Sequence, residues 1–434
     1  MKISNYESDM QHKASNKLFF VAAVTGVACV TIAALANAIG ISEGPVGKPR
    51  FILGAVGVVL MTVGILRRRF FNCYKTAAVI LANTALLFLC LEAGAAILNR
   101  YVLPQKAELT EEAFIEVSHL RSGPAMYVGF RGKPYAGELV NVNEQGLRVT
   151  PNEVSDGTRE AEPLEVFTFG GSTMWGEGSA ENETIATYLQ TKLAAKLNRD
   201  VRATNHGQRA WVATQSLVQL MLELRDGRVP DVVVFYDGYN DVTAVYATGK
   251  VGVPENFVGF THRVTEPLVV NRFRSTEIGR MLRPFIPRGN PPQLDVESTA
   301  ARIVDNYIGV IDIVQALSQQ YDFAVRFYWQ PQLYGDPKLL TDKEQELLEH
   351  KWLPPVVKSL TTETYKRMAA VAKTRTDLED ISDAFSGMAE PIYLDPCHVR
   401  AIGNERVADV MLERGLLDCV TNHLESRKQS AGQH

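Results

Sequence analysis

The residues of this sequence that could do chemistry fall into three places. Ser172 follows Gly170-Gly171 at the end of a β-favouring run, Leu164-Glu-Val-Phe-Thr-Phe169. The turn leaving a strand is where α/β enzymes expose a nucleophile. Asp395 stands three residues before His398 in Asp-Pro-Cys-His. On a loop, that spacing lets the acid fix the imidazole tautomer while the imidazole takes a proton from Ser172. Gly207 and Asn240 lie between these two sites. A glycine permits close backbone approach and an asparagine offers an amide donor, the two features a developing oxyanion beside Ser172 requires. A Gly-Gly-Ser turn is equally a plain strand exit when taken alone. A metal at His398 would need a third and fourth ligand, and no His or Cys spacing supplies them. Cys397 is not read as a nucleophile, because adjacent residues seldom face each other.

The elements around these residues must bring them together. Strands are expected at 164–169, 201–205, 232–236 and 323–329, and helices at 184–197, 214–225 and 298–319. A long helical region over 342–374 is broken at Pro354-Pro355, and a short helix is expected near 381–385. The intervals Ser172 to Gly207 and Gly207 to Asn240 are 35 and 33 residues, about one βαβ unit each. Successive βαβ strands are parallel, so all three exits fall on one edge of one sheet. The expected fold is a three-layer α/β/α domain with a parallel sheet of about five strands. Residues 99–163 read as a membrane-proximal segment and linker, with a strand at 139–143, and 242–296 as a proline-rich insertion that could wall or cover the site.

Gly170-Gly171-Ser172, Gly207, Gly238-Tyr239-Asn240-Asp241 and Asp395-x-x-His398, in that order, resemble the four blocks of the SGNH (GDSL-type) hydrolases over residues 164–416. Asn143-x-x-Gly146-x-Arg148 resembles the segment before the first block in membrane-anchored bacterial members. The resemblance implies Ser172 as nucleophile, His398 as general base and Asp395 as its orienter. It implies an oxyanion hole made of the Ser172 and Gly207 backbone N–H groups and the Asn240 side chain, with no metal or organic cofactor. Two departures stand out. Gly171 replaces the family's Asp, and Gln208-Arg209-Ala210-Trp211 lacks a second glycine that often follows Gly207. Trp175, Arg209, Trp211, Asp237 and Tyr239 are substrate-contact candidates by adjacency.

With 434 residues the chain exceeds one ordinary core, and its net charge of -4 offers no basic field to a polyanion, so nucleic acid is not an expected partner. Five cysteines are too few for a disulfide framework, and only Cys397 and Cys419 could pair. The first hundred residues read as a membrane anchor with spans at 18–41, 51–66 and 76–98, the middle one short. Glu92, near the end of the third, reads as interfacial or helix-paired. Lys2, Lys13, Lys17, Arg67, Arg68, Arg69 and Lys75 outnumber Lys48, Arg50, Arg100 and Lys106 on the opposite sides, which predicts a cytoplasmic tail at 1–17 and an extracytoplasmic main domain. A signal peptide cut after Ala36-Asn37-Ala38 would leave two spans and the same placement.

The expected function is therefore a serine esterase that removes ester-linked acyl groups, O-acetyl above all, from an extracytoplasmic glycan or lipid. A polysaccharide O-acyltransferase would use the same triad and pass the acyl group to a sugar hydroxyl. A non-catalytic binding or scaffold protein could keep the same fold.

Overall fold

The structure is a computed structural model that describes residues 2–35, 48–98, 112–151, 162–257, 273, 276–282, 293–349 and 354–431. The described residues fall into two compact units, one drawn from Met1–Leu103 and Phe273–Arg283, the other from Pro104–Arg272 and Pro284–His434.

In the larger unit two short hairpins come first. They pair β1 (Ser122–Ala125) with β2 (Gly129–Gly132) and β3 (Tyr135–Ala136) with β4 (Asn141–Val142). The main sheet holds β5 (Leu164–Gly170), β6 (Val201–Asn205), β7 (Val232–Asp237), β8 (Ala324–Trp329) and β9 (Leu378–Asp380). Its order is β6-β5-β7-β8-β9, and every pairing is parallel. The central strands are nearly continuous apolar runs because both faces are covered. Val232, Val234 and Tyr236 pack with the helices Ile185–Leu197 and Ala401–Met411, whereas Val233 and Phe235 pack with Ala213–Arg225 and Val296–Tyr321. The period-two alternation of one strand thus builds both halves of an α/β/α sandwich.

Most expected elements lie within two residues of their places. The Pro354-Pro355 break separates helices Asp342–Glu349 and Pro355–Ala372. The expected helix near 381–385 is instead a run of turns, with Ala384 N–H donating to the Ile381 carbonyl and Ser386 N–H to that of Asp383. The three-residue β9 just before it completes the sheet, and a strand that short carries no readable alternation. The expected strand at 139–143 shrinks to β4 plus isolated bridges from Arg148 to Val142 and Asn205. The latter bridge lies beside the β6 edge of the sheet and covers its carboxyl end.

The segment 112–151 is part of this unit rather than a bare linker. Gln215 Nε2 donates to the Val128 carbonyl (2.6 Å), Trp211 Nε1 to Phe130 (3.0 Å) and Gln208 Nε2 to Gly146 (2.8 Å). Side-chain N–H groups from the main domain thereby satisfy backbone carbonyls of the hairpins, which have too few residues to be stable alone. Cys397 and Cys419 are both free thiols, so the possible pairing does not form.

In the smaller unit, helices Lys2–Leu35 and Lys48–Ile65 pack along their lengths. A Cβ on Gly26 would lie 2.7 Å from the Gly57 carbonyl oxygen, and one on Gly64 2.8 Å from the Ala23 Cβ, so small residues set the approach. Among the described residues, Thr76–Ile97 is the one helix long and apolar enough to cross a bilayer, with 6% of its apolar window buried; Phe19–Ala34 and Ile52–Ile65 are shorter. The end of the expected first span and the Ala36–Ala38 cleavage pattern lie outside the described residues. Glu92 accepts hydrogen bonds from the Glu277 and Ile278 amides and so caps the helix Glu277–Leu282. Much of the 242–296 insertion, on which a wall over the site would depend, lies outside the described residues.

Candidate active site

Ser172 opens a one-turn helix, Ser172–Trp175, that begins where β5 ends. Gly170, at φ 156°, has no room for a side chain, since a Cβ there would lie 2.3 Å from the Tyr236 carbonyl oxygen. The turn closes at Gly176 in the left-handed region, with Gly176 N–H donating to the Ser172 carbonyl at 3.0 Å. Ser172 Oγ lies 2.7 Å from His398 Nε2, and His398 Nδ1 lies 2.6 Å from Asp395 Oδ2. The other Asp395 oxygen accepts the Cys397 and His398 amides at 2.9 and 2.8 Å, which locks the acid to its own loop. Burial opposes ionisation of Asp395, but the charge and hydrogen bonds of His398 and these amides outweigh it and hold its pKa at about 2. Burial likewise opposes protonation of His398, and the Asp395 charge overcomes it, leaving the imidazole well above its ordinary 6.5. Cys397 completes a group of possible metal donors within 4.8 Å. Its thiol is pushed up to about 12 by burial, against the thiolate that a metal or a nucleophile needs.

Gly207 and Asn240 both reach this edge, in different roles. The Gly207 amide donates to Asn205 Oδ1 at 2.9 Å, so it is engaged within its own loop. What requires the glycine is contact: a Cβ would lie 2.6 Å from the Trp175 nitrogen, under the Ser172 turn. In this structure the Gly207 N–H, expected to face the oxyanion, is spent on Asn205 Oδ1. Three residues on, Ala210 sits at φ 60°, a left-handed conformation that costs a non-glycine residue roughly 1–3 kcal/mol. Ala210 occupies the stretch where the sequence lacks a second glycine, and its amide has no backbone acceptor among the described residues. Asn240 Nδ2 donates to the Trp211 carbonyl at 2.9 Å, which leaves its second amide hydrogen unspent. A Cβ on Gly171 would lie 2.4 Å from that Nδ2. The absence of a side chain at Gly171 is thus what lets Asn240 close on the Ser172 turn.

The substrate-contact candidates divide. Trp175 is 2% exposed beneath the Arg148 guanidinium, 4.5 Å from its ring centroid, and Trp211 is 1% exposed with Nε1 spent on Phe130. Both are packing residues, not substrate contacts. Asp237 and Asp241 are buried, and burial together with the nearness of Asp241 raises the Asp237 pKa; Asp241 Oδ1 accepts the Ala213 amide at the start of the helix Ala213–Arg225. Asp237 therefore faces the core, and Tyr239 is partly buried beside it. Arg209, the fifth, is half-buried, and it forks onto Glu177 through Nε (3.0 Å) and an Nη (2.9 Å).

Three site residues escaped the sequence reading. Glu177 Oε2 lies 3.7 Å from His398 Nε2, and the Glu177 amide donates to the Ser172 carbonyl. Phe114, from the helix Glu112–Val117, meets the His398 ring edge-on at 5.6 Å. Arg148 is 2% exposed and donates to the carbonyls of Gly176 (3.3 Å), Ser179 (2.7 Å) and Leu139 (3.3 Å), and burial lowers its pKa to about 10. It clamps the loop that carries Glu177. The one available signal was Arg148 in its upstream motif; Glu177, five residues past Ser172, had only proximity.

The histidine loop has its own brace. Glu344 and Lys338 form an ion pair at 2.7 Å with both side chains fully buried. Glu344 also accepts the Ile392 and Tyr393 amides at 2.8 and 3.2 Å. Leu333 N–H donates to the Pro396 carbonyl at 2.9 Å. The segment after β8 thereby fixes the approach to Asp395 from below.

No protein-family model matches the sequence, and no curated protein does. Solved structures to which the chain is similar include an acetyl xylan esterase, AlAXEase, at 15% identity over 58% of this chain and 98% of that one, with a TM-score of 0.32. A mutant of Axe2, an acetyl-xylooligosaccharide esterase from Geobacillus Stearmophilus, is 12% identical over 59% and 96%, with a TM-score of 0.34. A member of the lipolytic protein G-D-S-L family from Veillonella parvula is 12% identical over 58% and 97%, with a TM-score of 0.31. At such identities and scores the likeness carries nothing about chemistry, which has to rest on the site itself.

Proposed function

We propose that this chain is a membrane-anchored serine esterase that removes ester-linked acyl groups through an acyl-Ser172 intermediate. The observation that carries the reading is the unbroken chain Ser172 Oγ, His398 Nε2, His398 Nδ1, Asp395 Oδ2, with links of 2.7 and 2.6 Å. Neutral His398 takes the Ser172 proton as Oγ attacks the ester carbonyl, and Asp395 stabilises the resulting imidazolium. The tetrahedral oxyanion is held by the Ser172 N–H and by the free amide hydrogen of Asn240 Nδ2. His398 then returns the proton to the departing alkoxide. Water, activated at the same Nε2, releases the acyl group.

The apolar, largely unburied Thr76–Ile97 helix supports integration in a membrane, and the distribution of Lys and Arg supports an extracytoplasmic catalytic unit. An O-acetylated envelope glycan or lipid is the substrate class that this placement favours. The test is hydrolysis of p-nitrophenyl acetate by the full chain in detergent micelles. Turnover should fall at least about 10⁴-fold in Ser172→Ala, toward what binding and oxyanion donors alone supply. Equal turnover by the two proteins would refute the reading.

A further inference from the structure

The triad leaves Glu177 unused, although among the described residues it is the one carboxylate besides Asp395 that is paired with His398. Glu177 is 13% exposed as a side chain, and its position is set from three sides. Its amide is held by the Ser172 carbonyl, the Gly176 and Ser179 carbonyls of its loop by Arg148, and its carboxylate by the Arg209 fork. The fork takes one lone pair from each oxygen, and an ionised carboxylate has about four. Two acceptor sites therefore remain beside His398 Nε2. They can recognise only a donor. The group that occupies the space next to Nε2 during the reaction is the alcohol half of the ester, leaving in acylation or attacking in its reverse.

From this arrangement we propose that Glu177 is a specificity residue that selects esters of vicinal diols, the chemistry of sugars and other polyols. The proposal rests on Ser172 acting as the nucleophile and adds the alcohol that the site prefers. The ester oxygen takes its proton from His398 Nε2 as its bond to the acyl carbon breaks. The hydroxyl on the neighbouring carbon donates a hydrogen bond to Glu177 Oε2, with no net proton transfer. Two oxygens on adjacent carbons are about a hydrogen bond apart, which suits a donor, His398 Nε2, and an acceptor, Glu177 Oε2, set side by side at 3.7 Å. Arg209 also lines a small cleft together with Ser122, Phe130 and Gly132.

The experiment compares ethylene glycol monoacetate with propyl acetate, which replaces the neighbouring hydroxyl by a methyl group, using the full chain in detergent. The wild-type ratio of kcat/KM should favour the glycol ester by about 10- to 100-fold, the range of a hydrogen bond to a charged group. Glu177→Gln and Glu177→Ala should bring that ratio to within about threefold of one. A wild-type ratio near one, or an equal loss on both esters with the ratio kept, would overturn the proposal; the latter is what a merely structural Glu177–Arg209 pair gives. A second measurement needs no variant. With p-nitrophenyl acetate as donor and equal ethylene glycol and propanol present, the acyl-enzyme should yield glycol acetate in excess over propyl acetate. Equal yields would also overturn the proposal. Absence of p-nitrophenyl acetate cleavage would instead count against Ser172 as nucleophile, so the two failures are distinguishable.

Discussion

At the scale of single residues, the reaction depends on the 2.7 Å contact of Ser172 Oγ with His398 Nε2 and on the groups packed around it. Ser172, Asp395 and His398 announce themselves by a strand exit and a three-residue acid–histidine spacing, both local in sequence. Glu177, Phe114 and Arg148 act across 221, 284 and 28 residues or through backbone carbonyls, and no local pattern encodes such contacts. The charge state of His398 gives a direct prediction. Its folded pKa lies above 6.5, and only the neutral imidazole is a base, so kcat/KM should be low at acid pH, rise through that raised pKa and level off above it. In Asp395→Asn the raising charge is gone, so the rising limb should move to lower pH while the plateau drops by about 10⁴-fold. A limb that stays in place would show that Asp395 does not set the imidazole's charge. Gly171→Ala places a Cβ where Asn240 Nδ2 now sits. We expect it to lower kcat by roughly 10²- to 10³-fold, as loss of an oxyanion donor does, with KM little changed. Full activity would place Asn240 outside the oxyanion site.

At the scale of elements, the sheet followed from the 35- and 33-residue intervals, because one βαβ unit has a nearly fixed length. Elements too short to show a period were lost: β9 has three residues, and the 381–385 stretch turned out to be turns. The packing of segment 112–151 is not legible in its own periodicity, because its order comes from Gln208, Trp211 and Gln215 donating to its backbone. Arg148 is the link from that segment to the catalytic turn. Arg148→Met keeps the packing on Trp175 but orphans the Gly176, Ser179 and Leu139 carbonyls, so thermal unfolding of the full chain should show a loss of about 2 kcal/mol. Arg148→Lys should recover little, since an ammonium cannot fork onto separated carbonyls. Unchanged melting of both variants would mean that the clamp contributes nothing.

At the scale of the whole molecule, composition separated an apolar first hundred residues from a mixed catalytic region, and the boundaries of the two compact units follow that division except at Phe273–Arg283. That excursion was not legible, because it depends on Glu92 capping a six-residue helix from far along the chain. The predicted placement of the catalytic unit outside the cytoplasm is open to labelling. Cys397 is buried and Cys419 packs toward the Val325 carbonyl, so neither native thiol is a good reporter. Leu339 is 86% exposed. Leu339→Cys should react with a membrane-impermeant maleimide in intact spheroplasts well beyond the wild-type background; reaction only after permeabilisation would contradict the orientation.

The central claim is a covalent one, that the acyl group passes through Ser172. Brief exposure of the full chain to p-nitrophenyl acetate, acid quenching and mass spectrometry of the peptides should find acetyl on the peptide that carries Ser172. The same peptide from Ser172→Ala should carry none, and the variant should not turn over. Turnover without an acetylated Ser172 peptide, or undiminished turnover in Ser172→Ala, would contradict the account.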